Sequence, residues 1–131
     1  MNIPLIADLL VLAIAILHFY FLALEMFFWT KKLGLKTFGH SLENAKISKV
    51  LAANQGLYNG FLALGLVWAL IEKSKFTYDI RMFFLLCVLI AGIYGAISTK
   101  NKKIFFVQAL PALVALFFNL MLFALANSEL R

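Results

Sequence analysis

Four stretches of this chain each run for about 20 residues with almost no charge, and this limits the fold more than any other feature. They lie at about 5–29, 50–71, 80–98 and 104–126; Met82 to Ser98 and Ile104 to Ala126 carry no charge at all. Crossing roughly 30 Å of hydrocarbon takes about 20 helical residues. Inside that solvent every peptide group must be hydrogen-bonded by the protein itself, so a run of this length reads as a spanning helix. A helix on the surface of a soluble domain would show a polar stripe instead. Composition agrees, since 64% of the 131 residues are apolar and only 14% charged, whereas soluble domains run near 25% charged. The expectation is an all-α integral membrane protein, a four-transmembrane-helix bundle making one domain over residues 1–131.

The net charge of +6 is carried between the apolar runs. Lys31, Lys32, Lys36, Lys46 and Lys49 lie in the first loop and Lys100, Lys102 and Lys103 in the third, so eight of twelve cations share one side. The positive-inside rule makes that side cytoplasmic and puts both termini outside. Lys73, Lys75, Arg81 and Arg131 form the opposing minority. Loops of this kind attract anionic headgroups at roughly 1 kcal/mol per lysine, so membrane lipids are the expected partners. No nucleic-acid partner is expected, because no basic helix interleaved with aromatics lies outside the spans. The single cysteine, Cys87, excludes an intramolecular disulfide or a cysteine-based zinc site. No Lys or Arg precedes the first apolar run and no small-residue cleavage site follows it, so that span is expected to be retained.

Local signals refine the arrangement. Gly34 and Gly39 interrupt the first loop, and Ser41 is placed to cap a short interfacial helix running into the second span. Pro111 is expected to kink the fourth helix. Close approach in lipid needs small side chains on facing surfaces. Gly56 with Gly60, the set Ala91, Gly92, Gly95 and Ala96, and Ala112 with Ala115 are the candidates, for packing within the chain or between copies in a homo-oligomer.

Amides and ionisable groups inside a bilayer are costly, so their positions carry information. His18 and Glu25 lie seven residues apart, on nearly the same face of the first helix and about 10 Å apart in depth. The second helix carries Asn54, Gln55, Tyr58 and Asn59 over an arc of about 140°. Tyr94 and Ser98 lie toward the same side in the third helix, and Gln108 at matching depth in the fourth. These nine residues all fall between mid-membrane and the lysine-rich side, whereas the other half offers little beyond Asp8 and Asn119. One histidine and one carboxylate are too few for a recognisable metal site, and no cofactor is expected.

The runs His18-Phe19-Tyr20, Leu24-Glu25-Met26 with Trp29, and above all Asn54-Gln55-Gly56-Leu57-Tyr58-Asn59-Gly60-Phe61-Leu62-Ala63 resemble a small bacterial membrane family catalogued as domain of unknown function 1304. Tyr94, Gln108 and Pro111 fit the same pattern, and the resemblance covers nearly the whole chain. It implies a four-helix protein of the bacterial inner membrane without an established biochemical role; some members carry an epimerase label.

The residues themselves support three functional expectations. In the first, the polar cluster binds the head of a small amphipathic or lipid-like ligand. There His18 and Glu25 are proton carriers for an isomerase or epimerase reaction, and Asn54, Gln55, Tyr58, Asn59, Tyr94, Ser98 and Gln108 bind the ligand. In the second, an oligomer transports a cation against protons through Glu25, with Trp68, Tyr58 and Tyr94 as aromatic partners. In the third, the small-residue faces dock another membrane protein.

Overall fold

A computed structural model describes residues 2–128; Arg131, counted above among the minority cations, lies outside them. The described residues are helical, without strands, and four helices are long and apolar enough to cross a membrane. These are α1 (Ile3–Phe27), α3 (Leu42–Ile71), α4 (Thr77–Ser98) and α5 (Lys102–Ser128), with a short α2 (Lys32–Phe38) between the first two. Leu5, Ile16, Val50, Phe83 and Phe117 are among many large apolar side chains on the surface, as expected where the outer solvent is lipid.

Helix ends follow local chemistry. Asn2 Oδ1 accepts the backbone N–H of Leu5 at 3.1 Å, capping α1. α2 ends at Gly39, whose φ of 69° is the left-handed conformation and whose N–H donates to the Leu35 carbonyl. The interfacial segment after Ser41 and the second span are one continuous helix, α3, whose Asn44 N–H bonds to Ser41 Oγ at 3.2 Å. At 30 residues it is about 45 Å long, so its first turns, with Glu43, Lys46 and Lys49, reach beyond the hydrocarbon.

Where the sequence predicts a kink at Pro111, a π-turn occupies Phe105–Ala109, and the Leu110 N–H reaches back to the Phe105 carbonyl. Proline cannot donate, and its ring crowds the carbonyl four residues earlier, here Val107. Widening the preceding turn opens that ladder.

Contacts divide the chain into two units. The first joins α1 up to Ala15 with everything from Leu64 onward. Its α4 buries Arg81, Leu85, Val88 and Gly92 along one stripe. A Cβ on Gly92 would come within 2.7 Å of the Ala109 backbone nitrogen, so the π-turn lies directly on that glycine. The second unit runs from Ile16 to Ala63 and holds the rest of α1, all of α2 and the first part of α3. There a Cβ on Gly34 would meet the Phe28 carbonyl oxygen, which is how α2 lies so close to the end of α1.

Candidate intramembrane polar site

At 100° per residue, Glu25 lies within about 20° of His18 on α1, Trp29 follows in the turn just after that helix, and Ser48 and Asn59 share a stripe of α3. Within the second unit these stripes face one another. Asn59 Nδ2 donates to Glu25 Oε2 at 2.7 Å, and Trp29 Nε1 donates to Ser48 Oγ at 3.1 Å. The close approach depends chiefly on Gly56, whereas Gly60 meets only the flexible end of Leu22. A Cβ on Gly56 would fall 2.7 Å from Met26 Cγ and 3.1 Å from Glu25 Cβ, and one on Gly60 would fall 2.5 Å from Leu22 Cδ1. The small-residue pair expected to mediate contact thus brings the carboxylate onto Asn59. Toward the lysine-rich end the seam closes with rings: Trp29 and His40 centroids lie 4.3 Å apart, and Phe38 stacks on His40.

The nine candidate residues are not equivalent. His18 is fully buried, with its ring edge-on to Phe21 at 5.8 Å. Glu25 and Asn59 are buried and bonded to each other, with Glu25 retaining 9% exposure. Two helical turns, about 10 Å of rise, separate His18 from Glu25. Asn54, Gln55 and Tyr58 are exposed on the surface of α3 beside this pair. Among the described residues the amides of Asn54 and Gln55 have no hydrogen-bonding partner. Tyr94, Ser98 and Gln108 belong to the first unit. There Tyr94 and Ser98 are exposed, Ser98 Oγ donates to the Gly95 carbonyl at 3.4 Å, and Gln108 is half-buried within the π-turn.

The first unit contains a polar cluster that the sequence reading passes over. Arg81 is 5% exposed. Its Nε donates to the Ala69 carbonyl at 3.1 Å, and its NH1 reaches Asn119 Oδ1 at 3.4 Å and Asp8 Oδ1 at 2.7 Å. Asn119 in turn donates to the Ala115 carbonyl. Ala69 lies in the last turn of α3, where carbonyls lack intrahelical donors, so Arg81 caps that helix with a positive charge. The available signal is the register: Arg81 begins the buried stripe that continues through Leu85, Val88 and Gly92.

Fold and seam together define a small multi-pass membrane protein with four spanning helices and buried polar pairs between them. The chain belongs to the family described as Protein of unknown function (DUF1304), which matches residues 12–120. It is similar to the uncharacterized protein YpaA of Lactococcus lactis subsp. lactis (strain IL1403), with 36% identity over 84% of this chain and 95% of that protein. No solved structure matches.

Proposed function

We propose that the Glu25–Asn59 seam and the adjacent face of α3 hold the polar head of a small amphipathic or lipid-like ligand. The observation that carries this reading is the pair of unpartnered surface amides, Asn54 and Gln55, beside a buried carboxylate–amide hydrogen bond in a membrane-spanning helix. An amide facing hydrocarbon without a partner costs several kcal/mol, roughly 4–8 on transfer scales that allow no compensation. A ligand head removes that cost, while its apolar part would lie along Leu51, Leu57 and Phe61, which are exposed on the same helix. His18 and Glu25, two turns apart on one face, would flank a ligand group and move a proton across it, as isomerisation or epimerisation requires. In this reading the lysine-rich loops face the cytoplasm of a bacterial inner membrane, and the site opens toward that leaflet.

The test is native mass spectrometry of the full chain released from mild detergent, comparing wild type with Glu25→Gln and Gln55→Leu. A retained small molecule that both variants lose, at unchanged thermal stability, supports the site. Identical adducts in all three proteins, or none in the wild type, refute it.

A further inference from the structure

The first unit has a surface groove of about 590 Å³ at the α3–α4 hairpin, remote in composition from the site above. Four aromatic rings line it, those of Trp68, Phe76, Phe83 and Phe84, together with the carboxylates of Glu72 and Asp79. Trp68, Phe76 and Phe83 are each at least half exposed. Rings present a negative face, and carboxylates beside them add full charge; the shared complement of both is a cation with apolar substituents.

The hairpin builds this arrangement deliberately. Glu72 Oε2 accepts from Trp68 Nε1 at 3.2 Å, while Oε1 accepts the backbone N–H groups of Lys73 and Ser74 at 3.1 and 2.9 Å. These bonds fix the indole and hold the Glu72 carboxyl below its ordinary value, so it is ionised at neutral pH. Among the described residues neither Glu72 nor Asp79 forms an ion pair; the one buried cation of the unit, Arg81, is engaged by Asp8. Asp79 lies in the first turn of α4, where the helix dipole favours an acid, but that accounts for neither the groove nor its rings. One ring already carries a cation: Lys75 Nζ lies 5.1 Å from the Phe76 centroid. Phe84 packs directly on Gly65, where a Cβ would fall 2.2 Å from its ring.

We propose that this groove is a binding site for an organic cation with an apolar body, held by the four rings and by the Glu72 and Asp79 carboxylates. The site uses other residues than the Glu25 seam and stands or falls separately. The same chemistry is offered by a free lipophilic cation and by the ammonium of a lipid headgroup.

The full chain carrying Trp29→Phe, in nanodiscs of phosphatidylglycerol, leaves Trp68 as the fluorescent reporter. Tetraphenylphosphonium should change its emission saturably, whereas tetraphenylborate, of similar shape and opposite charge, should not. Asp79→Asn, which leaves the Glu72 turn intact, should weaken phosphonium binding about tenfold, as the loss of one partly desolvated charge contact implies. Gly65→Ala, which must displace the Phe84 ring from its place in the lining, should weaken it while leaving both carboxylates in place. Replacing half the lipid with phosphatidylethanolamine separates the sources: competition assigns the site to lipid ammonium groups, and unchanged binding assigns it to free cations. Equal responses to the two ions, or phosphonium binding unaffected by both Asp79→Asn and Gly65→Ala, would overturn the proposal.

Discussion

Replacing Arg81 by Met should destabilise the chain by about 3 kcal/mol. The guanidinium is 5% exposed and donates to the Ala69 carbonyl at 3.1 Å, to Asn119 Oδ1 at 3.4 Å and to Asp8 Oδ1 at 2.7 Å. A hydrogen bond from a charged donor contributes about 1.5–3 kcal/mol, and the long Asn119 contact belongs at the low end. The Asp8 side chain is half exposed, so water screens that ion pair to about 1 kcal/mol. Met removes all three interactions but also the desolvation of a buried charge, which offsets about 1–2 kcal/mol of the loss. Reversible unfolding in mixed micelles, followed by circular dichroism, measures the difference. Adding Asn119→Leu to Arg81→Met should recover part of it, because replacing both partners with apolar groups leaves no orphaned acceptor on the fully buried Asn119. Adding Asp8→Ala should cost less than in wild type by about 1 kcal/mol, the coupling of the pair. A loss under about 0.5 kcal/mol for Arg81→Met, with full additivity in both double variants, would refute this account of the cluster.

Two further outcomes follow from the packing and the turn. Gly92→Ala should cost about 2 kcal/mol because its Cβ meets the Ala109 backbone, whereas Gly60→Ala should be nearly neutral: its Cβ meets the mobile end of Leu22, and alanine favours the helix by about 1 kcal/mol. Thermal unfolding of the two variants under one condition makes the comparison. For Glu72, the backbone N–H of Ser74 and the neighbouring donors hold the carboxyl below its ordinary value of 4.5. Its contribution to the hairpin is therefore complete above that value and is lost as the pH falls through the lower folded-state value. Trp68 emission should report this change on acidification, and Glu72→Gln should abolish it.

The spans and the α1–α3 seam are legible in the sequence because both depend on spacing along single helices. Charge-free runs mark α4 and α5, and Gly56 and Asn59 lie three residues apart on one side of α3, so the face that allows close approach also carries the buried amide. The Arg81 cluster is not legible in the same way. Its members come from α1, α4 and α5, and read singly they look like an interfacial acid, a hairpin cation and an isolated amide. Only three-dimensional placement shows that a carbonyl at the end of α3 needs a donor and that Arg81 supplies it. The π-turn is hidden for a related reason. A proline announces that the ladder must yield, but whether it yields by bending or by widening depends on the neighbour, and here the neighbour is a glycine that admits Ala109 at backbone distance.

Buried polarity in this protein takes two forms. Around Arg81 the polar groups are satisfied by the chain itself: a guanidinium caps a helix, an amide bonds to its own helix, and the exposed half of Asp8 is left to solvent. Such a cluster needs nothing from outside, and its loss should appear as instability. Along α3 the buried Glu25–Asn59 bond adjoins Asn54 and Gln55, whose amides the described residues leave unpartnered within a membrane-spanning helix. A folding role alone would have favoured leucine at those two positions, which would cost nothing against lipid. In the proposed reading, the polar head of a ligand supplies the partner those two amides lack. For that reason Gln55→Leu should raise or preserve stability while abolishing ligand retention, the opposite of what Arg81→Met should do.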